Sequence, residues 1–144
     1  MNKINHPVKL LLHTCCAGCL IESLPSLENL GFSRNNIILY FCNSNIHPRS
    51  EWLARLDAVK KVAEKLNLEL AISDWSPKTW FAAIEHNSNN TDQRRCKKCW
   101  EYRLQMTNHK AEQLKIQHFS TTLLVSRHQN YQSICTIGKS ISDS

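Results

Sequence analysis

An α/β fold, a parallel sheet with helices on both faces, is what the sequence predicts, and three observations carry it. Val8-Lys9-Leu10-Leu11-Leu12-His13 and Ile37-Ile38-Leu39-Tyr40-Phe41-Cys42 are continuous apolar runs, as expected of strands buried on both faces. Trp52, Leu56, Val59, Ala63 and Leu66 form an apolar stripe at helical spacing, ahead of a third candidate strand, Leu68-Glu69-Leu70-Ala71-Ile72-Ser73. Strands alternating with helices at this spacing imply right-handed crossovers around a parallel sheet.

The elements follow in order. After the first strand, residues 14–19 form a connection, and Leu20, Leu24 and Leu27 recur at helical spacing until Gly31, with Pro25 expected to kink that helix or delay its start. Residues 43–48 are rich in turn formers, and Ser50 is placed to cap the next helix. Pro77 opens a short helix that ends before the polar loop Asn87-Ser88-Asn89-Asn90-Thr91. Trp100, Leu104, Thr107, Ala111 and Leu114 share one face of a further helix, residues 119–125 read as a fourth strand, and residues 129–141 as a last helix. Ligands of such sheets sit beyond the carboxyl ends of the strands, where the loops at 14–19, 43–49 and 74–77 emerge.

Composition narrows the class of object. The 144 residues, 42% hydrophobic with no shift in composition along the chain, are expected to form one domain, residues 1–144. No apolar run approaches the roughly 20 residues of a membrane-spanning helix. The opening Met1-Asn2-Lys3-Ile4-Asn5-His6 lacks the apolar segment and cleavage site of a secretory signal, so a cytoplasmic location with reduced cysteines is expected. The net charge of +6 favours anionic partners such as nucleic acid, though scattered lysines also serve solubility alone.

The chain has seven cysteines, and in a reducing compartment close groups of them are more often metal ligands or catalytic groups than disulfides. Cys96-Lys97-Lys98-Cys99 is a C-x-x-C pair expected at a helix start, where free backbone N–H groups favour thiolate. Cys15-Cys16-Ala17-Gly18-Cys19 lies on a loop converging with it. Cys15, Cys16, Cys96 and Cys99 are the candidate metal ligands. A four-cysteine zinc site is one reading, but neighbouring cysteines chelate a single tetrahedral ion awkwardly. One of such a pair could bind an iron–sulfur cluster while the other binds an adjacent metal, so the vicinal pair favours a cluster. Cys42 ends an apolar strand and Cys135 lies in a predicted helix, where buried cysteine usually packs.

Other residues carry paired readings. Asp74, directly after the third strand, is a candidate catalytic proton donor or hard ligand, against ordinary helix capping. His47 could touch substrate, ligate metal or fix its loop. Arg94, Arg95, Lys97 and Lys98 surround the second cysteine group, where they could stabilise thiolates and attract nucleic-acid phosphates, or form a solvated charge run. Trp100 could stack on a base or pack.

Four blocks then match one family in its own order: Leu12-His13-Thr14-Cys15-Cys16-Ala17-Gly18-Cys19, Tyr40-Phe41-Cys42-Asn43-Ser44-Asn45-Ile46-His47-Pro48, Arg95-Cys96-Lys97-Lys98-Cys99-Trp100 and Thr121-Thr122-Leu123-Leu124-Val125-Ser126. With Glu51, Arg55, Arg103 and Leu104 in support, residues 8–138 resemble the QueH-type epoxyqueuosine reductases. The resemblance implies a Rossmann-like fold related to HUP nucleotide-binding domains. It implies a cytoplasmic enzyme that reduces epoxyqueuosine to queuosine at the tRNA wobble position, with an electron donor and without cobalamin. It also implies a 4Fe-4S cluster held by Cys96, Cys99 and one of Cys15 and Cys16, and a second metal ion, expected to be iron, held by the other.

The chain departs from the family pattern at Gly18, Ser44, Trp100, Arg127 and His128, and it stops at Ser144 where the family continues into another strand and a Tyr-Cys-Gly-Cys motif. A catalytically impaired truncated remnant and a zinc-binding tRNA-interaction module are therefore the alternative readings. An ATP-using tRNA thiolase of the same broad fold fits less well, because cysteines stand where its phosphate loop needs a Ser-Gly-Gly-like cradle.

Overall fold

The computed structural model describes residues 8–85, 92–126 and 129–143, with the side chains of 92–94 left aside. The expectations for the opening hexapeptide, for the polar loop 87–91, for the Arg94 side chain and for Arg127 and His128 lie outside these residues. The elements run β1 (Leu10–His13), α1 (Ala17–Asn29), β2 (Ile37–Phe41), α2 (Arg49–Leu66), β3 (Glu69–Ile72), α3 (Pro77–Ile84), α4 (Asp92–Gln113), β4 (His118–Thr121) and α5 (Tyr131–Ser142). All strand pairs are parallel, in the order β3-β2-β1-β4, so the α/β reading with a Rossmann-like sheet holds.

The continuous apolar runs are explained by what covers the sheet. Alternate residues of a strand point to opposite faces. Leu10, Leu12, Ile37 and Leu39 pack with Leu20, Leu24 and Leu27 of α1 and Ala63 of α2, whereas Leu11, Ile38 and Tyr40 pack with Met106 and Ala111 of α4. Because helices lie on both faces, every position of β1 is buried and neither face needs polar residues.

Strand order reverses between β1 and β4: β1 is followed outward by β2 on one side, whereas the chain returns to its other side only at β4. In such sheets the carboxyl ends of the strands at this reversal point are the usual place for a ligand. Cys15 and Cys16 occupy the turn out of β1.

Several local expectations are corrected. Pro25 does not delay α1: it sits exposed inside the helix, where the carbonyl it leaves unbonded can meet water. Gly31 does end the element, at φ 102°, with Phe32 N–H donating to the Leu27 carbonyl at 3.1 Å. The cap of α2 is Pro48, two residues before Ser50. The predicted fourth strand stops at Thr121, because the Thr121 hydroxyl accepts from Leu123 N–H at 3.1 Å and turns residues Thr122–Val125 into a 3-10 helix. No helix among the described residues is long and apolar enough to cross a membrane.

Candidate metal centre

Cys16 is the N-cap of α1. Its backbone is extended and its Sγ accepts the Cys19 N–H at 3.4 Å, a bond usually made by serine or aspartate. One helical turn brings Cys19 back to the same point, and Cys15 precedes it. The sulfur atoms of Cys15, Cys16 and Cys19 therefore lie within 4.8 Å of one another, the one group of three or more potential ligands among the described residues. Cys19 was not among the sequence-predicted ligands. The Cys16-x-x-Cys19 spacing at a helix start was the signal that could have found it.

The trio is anchored to the segment that follows β4. Thr122, just after β4, accepts the Cys15 N–H at 3.0 Å and donates its hydroxyl to Cys15 Sγ at 3.1 Å. Cys15 also packs against the apolar group built on Trp100, Leu104, Leu123 and Ile134. The two sulfurs of the vicinal pair are unequal. The Cys15 thiol, 4.0 Å away, donates to Cys16 and so holds the Cys16 pKa down at about 5, with help from the helix N-terminus. The same bond, followed by burial, pushes Cys15 up. Burial likewise raises Cys19. Of the three thiols, Cys16 is the one whose surroundings favour the thiolate.

The 4.0 Å separation of Cys15 and Cys16 bears on one expectation. With metal–sulfur bonds of about 2.3 Å, two ligands of a tetrahedral ion stand about 3.8 Å apart. The vicinal pair therefore stands close to that separation.

Beneath the trio lies a buried polar layer. His13, the last residue of β1, faces Thr121 through Nδ1 at 2.9 Å and the Cys42 carbonyl through Nε2 at 3.1 Å. A carbonyl only accepts, so Nε2 carries the proton and Nδ1 accepts from the Thr121 hydroxyl. Burial, then the nearby Arg103 guanidinium, lowers the His13 pKa from 6.5 to about 3. Asn43, after β2, donates to the Thr14 carbonyl at 2.8 Å and accepts from Arg103 Nη1 at 3.2 Å, which ties α4 to both loops. Arg103 is 5% exposed and its Nε has no hydrogen-bond partner among the described residues. A buried guanidinium with an idle donor is costly without an anion beside it.

The second cysteine group is arranged differently from the expectation. α4 begins at Asp92, so Cys96 lies beyond the four residues whose N–H groups are free, and the helix-start argument for thiolate fails there. Cys99 is buried and Cys96 exposed. Trp80 Nε1 of α3 donates to Cys99 Sγ at 3.3 Å. Cys99 is close enough to Cys42 to add to the rise of that thiol's pKa, whose main cause is burial. Both cysteine groups thus reach the carboxyl edge of the sheet, but Cys96 and Cys99 stand outside the trio.

Asp74 is exposed, and its backbone carbonyl accepts from Ser44 and Ser73 hydroxyls at 3.4 Å each. The N-cap of α3 is Ser76, so Asp74 does not cap that helix. It emerges from β3, two strand spacings from β1, a distance of about 10 Å. Arg95 and Lys97 are exposed and Lys98 is half-buried. Trp100 packs rather than stacks: it is buried, with Nε1 donating to Gln129 Oε1 at 2.7 Å.

Three thiols within reach of one point form a soft donor set suited to iron or zinc. The family model of epoxyqueuosine reductase QueH matches residues 10–144. The chain belongs to the QueH family. Its similar proteins include the epoxyqueuosine reductases QueH of Streptococcus pyogenes serotype M1, 30% identical over 90% of this chain and 52% of the relative, and of Thermotoga maritima, 31% identical over 92% and 68%. That of Dehalococcoides mccartyi is 33% identical over 89% of this chain and 68% of its own. The chain thus spans between half and about two thirds of the length of these QueH relatives.

Proposed function

We propose that this chain carries the metal-binding core of an epoxyqueuosine reductase acting on tRNA in the cytoplasm. The observation that carries the reading is the gathering of Cys15, Cys16 and Cys19 at the reversal point of a Rossmann-like sheet, in a chain of the QueH family. The reaction adds two electrons and two protons to the epoxide, releasing its oxygen as water and leaving the cyclopentene.

The residues fit a metal group. Three thiols within 4.8 Å of one another are a soft donor set of the kind that iron takes. Cys96 and Cys99, with one sulfur of the first group, would hold a 4Fe-4S cluster, and the rest of the first group a second metal ion, taken as iron. When bound, such a centre supplies electrons one at a time and Lewis acidity toward an oxygen. No cobalamin is required.

The chain's own residues do the rest. Thr122 and the α1 N-terminus fix the orientation of Cys15 and Cys16. The buried pair of His13 and Thr121 holds the end of β1 rigidly beneath them. Asp74, exposed at the same edge, is the candidate proton donor to the departing oxygen. Arg94, Arg95, Lys97 and Lys98 at the start of α4 meet tRNA phosphates, which requires binding to weaken with salt. A separate electron donor regenerates the centre.

Anaerobic reconstitution with iron and sulfide, then incubation with epoxyqueuosine-containing tRNA and a strong reductant, tests the reading by nucleoside mass spectrometry. Formation of queuosine is expected, and its absence from the brown, loaded protein counts against the reductase. One observation favours a second reading, a zinc-binding tRNA-interaction module: three sulfurs gather within 4.8 Å of one another, a donor set that zinc also takes. Colourless protein that retains zinc and takes up no iron would select it.

A further inference from the structure

We propose that His47, laid flat on Phe81, is a stacking platform for one unpaired base of an RNA loop. The inference rests on the tRNA reading above and names a contact by which the RNA would be held. The His47 and Phe81 rings stand 5.0 Å apart with 14° between their planes. Trp80 closes the group, 5.4 Å from His47 and edge-on to Phe81 at 4.9 Å. Despite these neighbours His47 remains exposed, while Phe81 is half-buried and Trp80 buried. Phe81 therefore backs one side of the imidazole in an offset stack, Trp75 meets the ring at 62° from 6.3 Å, and the rest of the ring is exposed.

That geometry suits a nucleobase. An aromatic ring already supported from behind presents its open face without losing further side-chain freedom, and base–aromatic stacking is tolerant of base identity. Duplex RNA keeps its base faces covered, whereas a loop offers them, so the occupant is an unpaired base. Charge agrees. The Arg95 guanidinium lies 5.9 Å over the Trp80 ring, on the same aromatic group, and Lys97 is exposed two residues on, where both can meet the phosphates of a stacked nucleotide. His47 belongs to the loop after β2, and Phe81 to the helix after β3, so the platform lies at the same sheet edge as the cysteine trio.

Fluorescence anisotropy with a labelled anticodon stem–loop RNA tests this on the full chain, comparing the unaltered protein with His47→Leu and His47→Phe. His47→Leu is expected to weaken binding roughly tenfold and His47→Phe to preserve it, while a blunt RNA duplex without a loop distinguishes none of the three. Thermal melting verifies that both variants are folded, as the exposure of His47 leads one to expect. Equal affinity of His47→Leu and the unaltered protein overturns the platform, as does equal weakening in both variants. Failure of the unaltered protein to bind the stem–loop removes both the platform and the tRNA reading. Failure to form queuosine, with the Leu–Phe contrast intact, supports the platform and removes only the reductase.

Discussion

The indole N–H of Trp80 on α3 donates to Sγ of Cys99 on α4 at 3.3 Å, with both residues buried. Hydrogen bonds to a thiolate ligand stabilise the more negative, reduced state of a metal centre and raise its potential. Trp80→Phe keeps an aromatic ring and removes the donor. In the reconstituted protein the midpoint potential is expected to fall by on the order of tens of millivolts, read by redox titration. An unshifted potential in a folded variant would show that Cys99 ligates nothing.

Arg103 predicts opposite effects in two forms of the protein. Its buried guanidinium donates to Asn43, and its Nε has no partner among the described residues. Arg103→Met should leave the metal-free chain as stable as before or more so, since replacing a poorly compensated buried charge by an apolar side chain is often favourable. The reconstituted protein should instead lose stability and release iron faster. Melting curves of both forms decide it; equal destabilisation of the two would show that Arg103 answers no bound anion.

Thr122 offers a conservative test of the trio's anchoring. Thr122→Val preserves shape while depriving Cys15 N–H of its acceptor and Cys15 Sγ of its donor. About 1–2 kcal/mol of stability should be lost, and metal affinity should fall about tenfold in a competitive chelator titration. Unchanged affinity would place Cys15 outside the ligand set.

His13 makes the metal-free chain sensitive to acid. Burial first, then Arg103, lowers its folded pKa to about 3 from an ordinary 6.5. Below pH 6.5 the unfolded chain therefore binds a proton that the folded chain refuses, and stability falls until about pH 3. The loss from this residue is on the order of 5 kcal/mol across that interval. Denaturant midpoints measured down the pH scale should fall more steeply for the unaltered chain than for His13→Gln; parallel curves would disprove it.

Much of the fold was legible because strands buried on both faces cannot hide. β1 and β2 need apolar residues at every position, and the stripe from Trp52 to Ala63 has one period only. Where the reading failed, a side chain had competed with the backbone pattern. The run Thr121-Thr122-Leu123 looks extended, but the Thr121 hydroxyl captures Leu123 N–H and bends the chain. At the site, Cys15 and Cys16 were legible as chemistry, and Cys19 could have been. Arg103, Asn43 and Trp80 were not, because their significance lies in contacts between elements far apart in the chain. The distance from Arg103 to Asn43 is a tertiary fact, and no periodicity reports which buried donor will lack a partner among the described residues.

The sulfur that caps α1 has a practical consequence for how ligand loss is controlled. Since Cys16 occupies a position where serine is among the best residues, Cys16→Ser replaces a soft donor by a hard one yet still offers an oxygen to Cys19 N–H. Cys16→Ala removes both. The serine variant thus reports on the metal alone, and its difference from the alanine variant measures what the helix owes to its first residue.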